Sequence, residues 1–133
     1  TLAGSGTAGD VDGVGTNAEF NYPHRIAVDA SGNLYILDSV NNKVKRLTPN
    51  GEVITWAGSG AEGSADGTGT QASFWLLNGI TVDPAGNVYT VSQNNVVRKI
   101  STDQVVTTYA GSGSFAYQDG PSTSASFANP GGL

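Results

Sequence analysis

A chain that repeats itself has few folds open to it, and this one repeats at intervals of 54 and 53 residues. Ala-Gly-Ser-Gly stands at residues 3–6, 57–60 and 110–113. Two further markers keep step with it: an Asp-Gly pair at Asp12, Asp66 and Asp119, and an Ala-x-Phe triplet at Ala18/Phe20, Ala72/Phe74 and Ala125/Phe127. Residues 108–133 repeat residues 1–26. One structural unit is therefore used about two and a half times, and a period of this length belongs to propellers, solenoids and arrays, whose units bury their apolar faces against each other.

Between the markers, RIAVDASGNLYILDS at residues 25–39 aligns with GITVDPAGNVYTVSQ at residues 79–93. Each copy predicts four short strands, rich in β-branched and aromatic residues as strands prefer. They fall at residues 26–29 and 80–83, 34–38 and 88–92, 43–47 and 96–100, and 53–58 and 105–111. Ala30-Ser31-Gly32-Asn33 and Pro84-Ala85-Gly86-Asn87 carry the residues a tight hairpin turn demands. No window holds a helical apolar period, and Gly interrupts most of them. The predicted fold is all-β, with four-stranded antiparallel blades of the β-propeller type in an incomplete propeller. The chain divides into an outer strand and link (1–24), a first blade (25–59), a link (60–78), a second blade (79–112), and a link with the start of the next blade (113–133). Residues 1–4 read as an outer fourth strand and residues 132–133 as the beginning of an inner first one.

The segment PHRIAVDASGNLYILDSVNNKVKRL at residues 23–47, with its weaker copy at residues 77–100, resembles the NHL repeat family. The long AGSG…DG…A-x-F link is similar to that of bacterial extracellular NHL proteins. The resemblance implies propeller blades and an interaction role. Leu77 stands where Pro23 does, and Ser92 where Asp38 does, so any role of those positions is not repeated.

Composition narrows the partners. Six Lys and Arg against eleven Asp and Glu leave a net charge of −5, which disfavours nucleic acid, because phosphate neutralisation supplies most non-specific affinity for it. No apolar run is long enough to insert in a membrane as a helix. Without Cys there is neither a disulfide framework nor a thiolate metal site. With Thr1 first and no Met anywhere, the chain is expected to be a processed product, a fragment or the ordered part of something longer. The Gly-, Ser- and Thr-rich surface suits an extracellular or cell-surface location, and a removed secretory signal would fit. No N-glycosylation sequon occurs; the hydroxyls of residues 122–126 would allow O-linked sugar.

No catalytic or cofactor-binding residue is expected. His24 is the one histidine, and zinc or nucleophilic chemistry needs partners it lacks. Calcium is the one cofactor with candidates, Asp10, Asp12, Asp66 and Asp119, since hard cations want several oxygens converging from a flexible turn; turn-forming Asp-Gly is the plainer role. Lys43, Lys45, Arg46, Arg98 and Lys99 fall on the third strands, where charge protects an edge from aggregation or forms a contact stripe for an acidic neighbour. Phe20, Phe74 and Phe127, and Leu2, Trp56 and Tyr109, recur at the period and read as packing between blades. Trp75 and Phe115 have no equivalents of their kind, which frees them to face a ligand or neighbour.

Open faces decide the expected function. With about five apolar side chains per open face at about 1.5–3 kcal/mol each, two faces forfeit on the order of 15 kcal/mol, as much as an ordinary domain's whole stability. The expectation is a non-enzymatic extracellular structural or interaction module whose blades join further repeats or other copies, head to tail, in a ring or a filament. The alternatives are a glycan- or peptide-binding domain of a larger surface protein, and a propeller hydrolase or lyase. The last requires more metal ligands on the inner strands than Asp29 and Asp83.

Overall fold

The computed structural model describes residues 1–133. Its strands are β1 (Gly13–Val14), β2 (Pro23–Val28), β3 (Leu34–Asp38), β4 (Lys43–Leu47), β5 (Glu52–Ala57), β6 (Gly67–Thr68), β7 (Leu77–Val82), β8 (Val88–Ser92), β9 (Val96–Ile100) and β10 (Val105–Ala110). They form two antiparallel sheets of the same order, β1-β5-β4-β3-β2 and β6-β10-β9-β8-β7. Each sheet thus has five strands where the sequence predicts four. The addition is a two-residue stretch of the link that pairs back on the fourth strand, Gly13 opposite Val53 and Gly67 opposite Val106. Residues 1–4 and 132–133 form no strand, because the third or second strand each would pair with is not at hand.

The hairpin between the first two strands is locked by an aspartate. Asp29 Oδ1 accepts from the backbone N–H of Ser31 and of Asn33, both at 2.9 Å, while Oδ2 accepts from the Asn33 amide at 2.8 Å and the Tyr35 hydroxyl at 3.3 Å. Asp83, Asn87 and Tyr89 repeat the arrangement. These two acids brace a turn, which their spacing four residues before an Asn makes possible.

Gly58 explains the AGSG marker. Its φ of +109° suits glycine, and a Cβ there would lie 2.5 Å from the Asn42 carbonyl oxygen; Gly111 repeats this at +99° and 2.3 Å from Asn95. The chain turns sharply off the fourth strand at these points, so the link runs across the face of the sheet instead of continuing outward.

The main core lies between the sheets. Tyr35, Leu37, Val44 and Trp56 of the first sheet meet Ala72 and Phe74 of the middle link and Ile80, Val88, Ile100 and Val106 of the second. A smaller cluster, Ala18, Ile36, Leu47 and Val53 with Phe20 against it, joins the first link to the opposite face of the first sheet. The inner strands β2 and β7 pack directly on each other.

Candidate functional site

The centre of each third strand carries a buried cation held by a link. Lys45 is 0% exposed; its Nζ donates to Asp12 Oδ1 at 2.8 Å and pairs with Asp10 Oδ1 at 3.0 Å. Asp12 also accepts from the backbone N–H and hydroxyl of Thr55 on β5, at 2.7 and 3.1 Å. Arg98, one period later, is 1% exposed. It donates to Asp66 at 2.9 Å, to the Ala65 carbonyl at 2.9 Å and to the Ser73 carbonyl at 3.0 Å, while Thr108 donates to Asp66 at 3.2 Å. The link phenylalanine covers each cation, Phe20 at 6.0 Å and Phe74 at 5.5 Å.

Lys45 and Arg98 are therefore not edge-protecting surface charges. Strand alternation turns the middle of the third strand toward the face the link crosses, and a charge taken out of water there needs an acid beside it. The calcium candidates Asp10, Asp12 and Asp66 supply that acid; Lys43 and Lys45 share Asp10. Their oxygens face ammonium or guanidinium groups, and no cluster of three or more His, Asp or Glu is close enough to hold an ion. Burial works to raise the Asp12 and Asp10 pKa values, but hydrogen bonds from Lys45, Thr55 and Lys43 outweigh it and hold both carboxyls below the usual range. Burial works to lower Lys45, and the same acids raise it overall. In Arg98 burial prevails over Asp66 and lowers the guanidinium pKa. Asp119, third in the series, is exposed and has no ion pair.

Arg46 and Lys99 point to the other face, Arg46 at 4.4 Å over the Trp56 ring and Lys99 at 5.9 Å over Tyr89. His24 Nδ1 lies 2.9 Å from the Ser39 hydroxyl, which donates to the Leu77 carbonyl at 3.2 Å. Because that carbonyl only accepts, the ring is the donor to the hydroxyl. The pair ties the two sheets together and is not a base poised on a nucleophile.

Equivalent positions differ sharply in exposure at the two ends of the stack. On the outer face of the first sheet Ile26 is 61% exposed, whereas Ile80, its counterpart between the sheets, is 8%. A groove of about 430 Å³ opens there, lined by Leu2, Ile26, Leu34, Ile36 and Leu47. On the outer face of the second sheet Tyr109 is 53% exposed, whereas Trp56 is 7%. Phe115 is exposed on this side, in the last link, where it bridges Phe127. Trp75 is exposed at the end of the sheets where β2 and β7 begin, an end that also presents Tyr22, Val40 and Leu76. Sequence reasoning misses those three: Tyr22 and Leu76 hold left-handed backbone at φ +59° and +47°, which bulky residues rarely adopt. Asn129, the third member of the series at φ +56°, is the one residue type that hints at it.

A family model for the NHL repeat matches residues 20–47, from the end of the first link through β4. The chain carries an NHL repeat. This NHL chain is 36% identical over 91 residues to NHL repeat-containing protein 2 of Gallus gallus. It is 33% identical over 88 residues to the Protein SUPPRESSOR OF QUENCHING 1, chloroplastic, of Arabidopsis thaliana. Each match covers 65% of this chain but only 12% and 8% of those proteins. Among solved structures, a structural genomics protein of unknown function from Bacteroides thetaiotaomicron superposes with a TM-score of 0.75 at 31% identity, over 92% of this chain and 32% of that one. An auxiliary nutrient binding protein from Bacteroides ovatus gives 0.73 at 25%, over 90% and 33%. The chain thus spans about a third of those solved chains. It is a propeller segment with an NHL repeat, and no helix in it is long and apolar enough to cross a membrane.

Proposed function

We propose that this NHL chain is a non-enzymatic structural and interaction module, outside the cell or at its surface, that takes further sheets of its own kind onto its two open faces. The observation that carries this is the contrast between equivalent positions: Ile80 and Trp56 are buried only because a second sheet stands beside them, while Ile26 and Tyr109 have the same place and no neighbour. Contacts of this head-to-tail kind close into a ring or run on as a filament. The extracellular placement is supported by the Gly-, Ser- and Thr-rich composition and the low charge of the chain. Light scattering after size exclusion, with negative-stain microscopy, tests the proposal. Assemblies whose mass rises with concentration are expected; a single-chain mass throughout would refute it.

A second reading is favoured by the end that exposes Tyr22, Val40, Trp75 and Leu76, two of them on left-handed backbone. Backbone held in such conformations collects at ligand clamps, and aromatic side chains there suit a glycan or a peptide. Under this reading Trp75→Ala abolishes glycan or peptide binding and leaves assembly unchanged.

A further inference from the structure

We propose that copies of this chain join by exchanging links: residues 110–127 of one copy replace residues 3–20 on the first sheet of the next, setting Asp119 against that copy's Lys45 and Thr55. The inference rests on the self-association proposed above and names the contact.

Three observations carry it. The last link already has the shape of the other two without a sheet on its far side. Its Phe115–Phe127 bridge matches Ala8–Phe20 and Glu62–Phe74. Its Ser112 N–H donates to the Ala125 carbonyl at 2.8 Å, as Ser5 does to Ala18 at 2.9 Å and Ser59 to Ala72 at 2.8 Å. Secondly, Asp12 and Asp66 each bind a third-strand cation and a fourth-strand threonine of the sheet that follows them, and Asp119 stands in that place with neither. Thirdly, the two sheets offer one buried cation each, and their accessibility differs. Arg98 is enclosed between the sheets by a link continuous with both. Lys45 is covered by residues 3–20 alone, and the far side of that link is open.

One sheet face has room for one link, so the incoming segment must displace the resident one. Exchange places Phe127 where Phe20 was and Tyr117 where Asp10 was, with an aromatic face toward Lys43. It also lays the face carrying Tyr109 on the face carrying Ile26, the same juxtaposition that buries Trp56 and Ile80 inside the chain. Simple stacking, with the resident link kept, would leave Asp119 against residues 3–20 and without a cation.

The test is carbodiimide cross-linking of a mixture of isotopically heavy and light full-length chains, which joins a carboxylate to an ammonium already paired with it. A heavy–light Asp119–Lys45 peptide is expected. Asp119→Asn is expected to weaken assembly about tenfold, equivalent to about 1.4 kcal/mol. Asp10→Asn with Asp12→Asn should strengthen it, since it loosens the resident link. Because that double variant leaves Lys45 short of partners, the cross-link on the unmutated chain stands as the independent arm. Assembly without the Asp119–Lys45 peptide and indifferent to Asp119→Asn overturns link exchange and leaves the proposed function standing. A chain that never assembles overturns both.

Discussion

The two sheets share strand order, pairing register, turn aspartate and buried cation, yet Ile80 in one is 8% exposed and Ile26 in the other 61%. At the opposite face the order inverts, with Trp56 of the first sheet 7% exposed and Tyr109 of the second 53%. Each sheet is therefore finished on the side where it meets the other and unfinished on the side where it does not. What a unit specifies is which side chains face which way; how much water they lose is decided by the neighbour.

The largest expected effect tests this directly. Ile80→Ala should destabilise the isolated chain by about 2–5 kcal/mol, the usual cost of deleting a buried aliphatic side chain. Ile26→Ala should cost less than about 1 kcal/mol at its exposed site. Urea unfolding followed by circular dichroism measures both, and equal losses would erase the distinction between the sheets. In an assembled sample the Ile26 value should climb toward that of Ile80.

Next come the link acids. Asp66→Ala leaves Arg98 with two carbonyls and no counter-charge, for a loss of about 1–3 kcal/mol once the exposure of the carboxylate is allowed for. Asp12→Ala should cost less, about 1–2 kcal/mol, because Asp10 still faces Lys45. The same denaturation series ranks the two.

Acid should act on the first link through these groups. Asp10, Asp12 and Asp29 have folded pKa values below their ordinary 3.8, hydrogen bonds prevailing over burial. Their contribution is full above that value and is lost as pH falls through the lower folded ones. Asp38 runs the other way: burial raises its pKa over the opposing bonds from Asn41 and the Asn21 N–H, so its protonation recovers some stability as pH drops. The protection of the Ser5 and Glu19 amides against hydrogen exchange, relative to the intrinsic rate at each pH, should fall below pH 3.8 before that of the β3–β4 pairing; these amides donate to the Ala18 and Val11 carbonyls. The smallest effects belong to the cations on the opposite face: about 1 kcal/mol for Arg46→Ala and under about 0.5 kcal/mol for Lys99→Ala, following their distances to Trp56 and Tyr89.

Much of the fold is legible in the sequence because period and alternation are both local signals. The four longer strands of each sheet follow from β-branched runs between turn residues. The fifth does not: Gly13–Val14 and Gly67–Thr68 are only two residues long and begin with Gly, and their pairing accompanies an aspartate one residue earlier that is held by a distant threonine. The buried cations follow from no local pattern. Alternation separates Lys45 from Arg46, but nothing local says that a link will cover the Lys45 side. The available signal was the shared separation of acid and base, 33 residues for Asp12 and Lys45 and 32 for Asp66 and Arg98. The end bearing Tyr22 and Leu76 was hidden because its left-handed backbone is imposed by the entry into the inner strand, against the preference of the residues there.

That separation of 32 to 33 residues is shorter than the period. A duplication of one period whose ends fall outside that stretch carries an acid together with the base that will meet it, and a newly inserted unit arrives already matched to its surroundings. Arrays built this way gain or lose members in whole numbers without first evolving a fresh ion pair at the seam.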